Sequence, residues 1–190
     1  RNTQDAVNND TTQSGFTVHL YYQILEMTVF LLEYNSIFQD FQMLTEITIP
    51  MALAGLKFYR LHFPIDSNGK LRLFPIDALE SFWNTENPVP DIAGLRYVII
   101  KMLALPEGIL NIQQKQFLSD MYNIIPELPI DEANGMRFIK PAKLYEDRKN
   151  WESPELYCVF PFRLFGVGLP DTEVARNTYY RRFVTDGADW

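Results

Sequence analysis

Two Asn-Gly dipeptides, Asn68-Gly69 and Asn134-Gly135, stand 66 residues apart, and the punctuation after each is the same. Pro75, Glu80 and Pro88 follow the first, and Pro141, Glu146 and Pro154 follow the second at identical spacings. Asn-Gly supplies the positive φ that a tight hairpin tip needs. A proline at the head of an apolar periodic run is a helix start, because the first turn has no use for the missing N–H. Each copy therefore reads as hairpin tip, short strand, loop and proline-started helix, a repeated unit built round a helical hairpin. A period near 66 is long for an open solenoid. It suits an α/α toroid, in which inner helices converge and long loops at one rim form a binding site.

Apolar periodicity predicts six helices. They run from Val18 to Asn35, from Glu46 to His62 with Pro50 in the first turn, from Pro90 to Leu105, from Ile112 to Ile125, from Pro154 to Phe165, and from Asp171 to Phe183. Gly166 and Gly168 stop the fifth. Lys70–Phe74 and Met136–Lys140 are short extended runs, each ended by a proline. Several helices are apolar on more than one face, as helices packed between two layers or in a ring must be. Residues 1–15 read as a polar loop and residues 16–190 as part of one mainly helical domain.

Charge and composition exclude several functions. Seventeen Lys and Arg against 24 Asp and Glu leave a net charge of −7, which argues against non-specific nucleic-acid binding. Cys158 is the one cysteine, so there is no internal disulfide and no cysteine-based zinc site. His19 and His62 are 43 residues apart and do not have metal-ligand spacing. There is no Gly-x-Ser-x-Gly elbow, and Gly166-Val167-Gly168 follows a helix rather than opening one, so no phosphate-cradling loop is read. No cofactor or metal is expected. No apolar stretch reaches about 18 residues, so no membrane span is expected. The start at Arg1 without Met is read as a start inside a longer product. Aromatics at 14% fit a large core or a ring-lined cleft.

Four segments carry a family likeness: Asp66–Lys70 through Phe74-Pro75, then Ala78–Trp83, Asn87–Leu95, and Glu155–Gly168. They resemble six-hairpin glycosidases, (α/α)6-barrel glycoside hydrolases, and are most similar to the α-L-fucosidase-like catalytic domains of family 95. The family's Ser-Pro-Glu-Asn acid loop corresponds to Ala78-Leu79-Glu80-Ser81. Its His-Met-Ser-His-Leu segment corresponds to Pro154–Tyr157, without the histidines. The resemblance implies a glycoside hydrolase fragment, an incomplete barrel completed by its remainder or by another chain. It further implies carboxylate acid/base chemistry with inversion, a base residue beyond Trp190, and a secreted or periplasmic location.

On that reading Glu80 is the general acid, raised by its apolar neighbours Leu79, Phe82 and Trp83. Trp83 and Trp151 are sugar-stacking candidates, and Asn84, Asn87, Asp91 and Glu155 are hydroxyl-binding candidates. Asp91 equally suits helix N-terminal stabilisation, and Glu152 and Glu155 equally suit capping at Pro154. The alternative function is a non-catalytic α/α-toroid module that binds glycan or protein through the same loops. A helical scaffold with a purely structural repeat is the third.

Overall fold

In a computed structural model, residues 19–182 are described. They comprise five helices of ten residues or more: α1 (Gln23–Phe38), α2 (Ile49–His62), α3 (Val89–Leu103), α4 (Ile112–Ile124) and α5 (Thr172–Arg181), with a short helical segment Phe41–Met43 and a π-helical segment Leu44–Thr48 leading into α2. Among them run β1 (Ile76–Ala78), β2 (Phe82–Pro88), β3 (Ile130–Ala133), β4 (Met136–Ile139) and β5 (Ala142–Leu144). β1, β2 and β5 form an antiparallel sheet with β2 in the middle, and β3–β4 is a separate hairpin.

Helix α3 is the centre of the core. Eleven of its 15 residues are buried, so it is apolar all round, as the sequence anticipates for a helix packed on several sides. Ile92, Leu95, Ile99 and Met102 join Leu25, Val29 and Leu32 of α1, Leu56 and Tyr59 of α2, and Leu118 and Met121 of α4 in one cluster. Gly94 lets α1 and the Phe162 ring close on α3. A Cβ there would lie 2.8 Å from both Leu25 Cδ1 and Phe162 Cζ. Helix α4 starts where Asn111 caps it. Asn111 Oδ1 accepts from the Gln114 amide and the Gln114 side chain accepts from the Asn111 amide, each at 2.8 Å.

Both Asn-Gly sites are hairpin tips. Asn134 and Gly135 have φ of 54° and 72°, the two-residue turn that matches strand twist, and they join β3 to β4 in register. At the first site Gly69 has φ 75°, and Asp66 Oδ1 accepts from the amides of Asn68 and Lys70. The Lys70–Phe74 strand reduces to one bridge between Leu71 and Ile65, and pairing begins only after Pro75.

The architecture is mixed, with helices and two small antiparallel sheets, and not an α/α toroid. The two 66-residue copies part company after their tips. Pro88 is followed by the 15-residue α3, whereas Pro154 opens a single 3₁₀ turn, Pro154–Leu156. Pro161 explains the difference: seven residues into the predicted helix it has no N–H to continue the ladder and its ring clashes with the preceding turn. The chain from Tyr157 to Phe165 instead folds as successive turns, with the Cys158 carbonyl accepting from both Leu164 and Phe165. The stretch after Pro75, read as loop, forms the β1–β2 hairpin, and β5 adds to β2. The polar segment 1–15 lies outside the described residues.

Candidate functional site

The β1–β2 hairpin positions the first half of the site. Its turn holds Leu79, Glu80 and Ser81, with Leu79 at φ 55°. Asp77, buried at the base, fixes the two strands: its Oδ1 accepts from the Asn84 amide at 2.8 Å, and its Oδ2 faces the His19 amide at 3.4 Å. The Thr85 hydroxyl donates to the Ile76 carbonyl at 2.7 Å. The turn is thus held from below and presents Glu80 outward.

The second half is the loop that follows β5. It is tied to the turn along its length. The Lys149 amide donates to the Ser81 carbonyl at 2.7 Å, and the Ser81 hydroxyl donates to the Glu152 carbonyl at 3.0 Å. Glu152 Oε2 accepts from the Glu80 amide at 2.9 Å. In the opposite direction, Asn150 Nδ2 donates to Glu80 Oε2 at 3.2 Å. The Trp83 indole N–H closes the turn on the Glu80 carbonyl at 2.9 Å. Arg148 donates to the Glu152 carbonyl, and its guanidinium sits 4.8 Å from the centre of the Phe82 ring.

Where loop and turn meet there is a cavity of about 440 Å3, lined by Leu79, Asn150, Trp151, Glu152, Ser153 and Tyr157. A neighbouring hollow of about 350 Å3 is lined by Arg148, Lys149, Asn150 and Trp151, so Asn150 and the exposed Trp151 are common to both. Tyr157 packs edge-on to Tyr22, ring centres 5.5 Å apart. Burial pushes the Tyr22 phenol up to about 12 and the Tyr157 phenol higher still. Both hydroxyls are therefore neutral at physiological pH and can donate hydrogen bonds.

The residues singled out in the sequence fall in five places. Trp151 lines this cavity, Glu80 stands beside it with its carboxylate on the lining residue Asn150, and Trp83 reaches the turn through its indole N–H on the Glu80 carbonyl without lining the cavity. Asn84 is exposed on β2. Asn87 is buried where its Oδ1 accepts from the Leu73 amide at 2.9 Å, joining the sheet to the preceding loop. Asp91 lies wholly buried in the first turn of α3, with Oδ1 2.5 Å from the Tyr59 hydroxyl and Oδ2 unpartnered among the described residues. Burial pushes its carboxyl up to about 7, against the lowering effect of the Tyr59 hydrogen bond. Glu155 is buried in a different cavity, 3.4 Å from Arg148, and burial raises its carboxyl.

Asn150, Ser153 and Tyr157 were not singled out from sequence. The available signal was the polar run Asp147–Asn150 leading into Trp151 and Glu152. Glu152, which sequence offers as a helix cap, instead caps the β1–β2 turn.

Cys158 is buried, and burial pushes its thiol up to about 12, too high for a nucleophile. Among the described residues no three His, Cys, Asp or Glu side chains gather to hold a metal ion, and no helix is long and apolar enough to cross a membrane. Searches against known protein families and against curated proteins return no match.

Proposed function

We propose that the cavity at the β1–β2 turn binds a carbohydrate and that Glu80 protonates the glycosidic oxygen of the bound sugar. The observation that carries this reading is the convergence of an exposed Trp151, Tyr157, Asn150 and Glu152 on a volume of about 440 Å3, with the Glu80 carboxylate at its border, held by the Asn150 amide. A sugar needs both surfaces at once: an aromatic face for its C–H groups and fixed polar groups for its hydroxyls. Trp151, bordering both hollows, suits a chain of at least two sugar units, one on each side of the ring.

Glu80 is the carboxylate with the freer geometry. Its side chain accepts from the Asn150 amide, while Glu152 is engaged with the backbone of the turn. Proton transfer from Glu80 to the bridging oxygen lets the C–O bond break with the electrons on the departing alcohol; water then adds at the anomeric carbon and releases a proton to solvent, from which Glu80 is protonated again.

The engagement of Glu152 also favours a second reading, a glycan-binding site without turnover. Two substrates separate them. On the first reading Glu80→Gln lowers hydrolysis of an oligosaccharide, whose leaving group is poor, by about 10²–10⁴. It has little effect on an activated aryl glycoside, and binding survives. Binding without hydrolysis by the wild-type chain would leave the second reading, and an unchanged rate on the oligosaccharide would remove Glu80 from the acid role.

A further inference from the structure

A hollow of about 520 Å3, larger than the one at Trp151 and on another part of the molecule, lies where α1 and α3 end. The two helices run in the same direction. Leu25 in the first turn of α1 meets Gly94 in the second turn of α3, and Asn35 and Ala104 at the far ends both line the hollow. Its walls are apolar, made by Leu32, Leu44, Leu105 and Ile109 with the exposed ring of Phe41. Leu44 opens the π-helical segment, a rare turn that recurs at functional sites.

The charge in this lining has one sign. Asp40 is its one charged side chain among the described residues. Oδ1 of Asp40 accepts from the Met43 amide at 2.9 Å. Oδ2 has no partner among the described residues and is not enclosed, so a ligand can reach it. The C-terminal ends of α1 and α3, helices of 16 and 15 residues, add the carbonyls that close a helix, each end equivalent to about half a negative charge. The last turn of α1 has no basic residue. Lys101, in the last turn of α3, lies 5.2 Å from the centre of the Tyr97 ring and outside the lining. An apolar hollow with a negative mouth repels a carboxylate, offers a neutral molecule only its walls, and offers an organic cation both.

We infer that this hollow binds an apolar primary amine in its ammonium form. The hydrocarbon part lies on Leu32, Leu105 and Ile109, and the ammonium donates to Asp40 Oδ2 beside the two helix ends. The inference is independent of the cleft at Trp151, with which the hollow shares no residue.

The test is calorimetric titration of the full chain, at low ionic strength, with phenethylamine, phenethyl alcohol and phenylacetate, which share a ring and differ in charge. Phenethylamine is expected to bind about tenfold more tightly than the alcohol, the worth of a hydrogen bond to a charged group, and phenylacetate most weakly. Asp40→Asn keeps a capping side chain for the Met43 amide. It should therefore retain the wild-type circular dichroism and lose the preference for amine over alcohol. Ala104→Trp, at an exposed position of the lining, should fill the hollow and abolish amine binding, and Trp151→Ala should leave it unchanged. Alcohol or phenylacetate bound as tightly as the amine, no amine binding at millimolar concentration, or an unaltered preference in Asp40→Asn would each overturn the inference. So would amine binding that survives Ala104→Trp or is lost in Trp151→Ala, the latter assigning the amine to the cleft instead.

Discussion

Replacing Asp91 by asparagine should change how the protein's stability depends on pH, by an amount the structure sets. The Asp91 carboxyl is fully buried, accepts the Tyr59 hydroxyl at 2.5 Å through Oδ1, and has no partner on Oδ2 among the described residues. Burial, with a smaller contribution from the nearby Asp77 charge, pushes it from 3.8 to about 7. The folded chain therefore keeps this proton up to about pH 7, while the unfolded chain releases it near pH 4. Between those values the native state binds more protons, so stability falls as pH rises. The stabilisation is fully present below pH 4 and is lost as pH rises through about 7. At 1.36 kcal/mol per pH unit the loss is about 4 kcal/mol. The asparagine of Asp91→Asn cannot ionise, so the variant lacks this loss, although its amide N–H groups, buried without acceptors, cost about 1–3 kcal/mol at every pH. Urea unfolding of both proteins from pH 4.5 to 8, followed by tryptophan fluorescence, measures the difference. The variant should be the less stable protein at pH 4.5 and should gain on the wild type by about 3–4 kcal/mol by pH 8. Glu86, held below the usual carboxylate range by Lys143 and Arg72, loses its contribution only as pH falls below about 4.5, and it cancels in the comparison. A difference constant to within about 1 kcal/mol across the range would refute the reasoning.

Other perturbations have equally definite outcomes. Gly94→Ala drives a methyl to 2.8 Å from Leu25 and Phe162, so thermal or urea unfolding should show a loss of about 1–3 kcal/mol. Phe162→Ala empties a fully buried ring site and should cost about 3–5 kcal/mol in the same assay. Glu152→Ala frees the Glu80 amide, while the Ser81 hydroxyl keeps its bond to the carbonyl of residue 152, and hydrogen exchange at Glu80 should quicken while the core of α3 is unaffected. Cys158 should resist a thiol reagent in native protein and react at once in denaturant, because it is buried with its thiol held neutral.

Much of the helical framework was legible because its signals are local. α3 and α4 occupy the stretches that periodicity and the proline starts mark out, and the Asn134-Gly135 tip forms the turn its two residues favour. The β1–β2 hairpin was not legible, since Asp77, Asn84, Glu86 and Asn87 are poor strand formers. It forms because the Asp77 carboxylate and the Thr85 hydroxyl bond across its two strands and β5 pairs with β2 from outside the segment. The predicted helix after Pro154 was misread because the apolar run outweighed Pro161 in the reading, whereas the chain obeys the proline. At the site, Glu80 and the two tryptophans share one neighbourhood. Their meeting depends on Asn150 and Glu152, about 70 residues later in the chain, and no local pattern encodes that pairing. Asn87 and Asp91 illustrate the reverse: polar residues beside an aromatic loop that serve the sheet and the core.

Carbohydrate binding at Trp151 underlies every role proposed for the cleft. A glycan array probed with the wild-type chain, Glu80→Gln and Trp151→Ala tests it in one experiment. The wild type and Glu80→Gln should bind the same glycans, since that change preserves shape, and Trp151→Ala should lose them, since the shared aromatic wall is gone. An array with no wild-type signal, or glycans retained by Trp151→Ala, would contradict it.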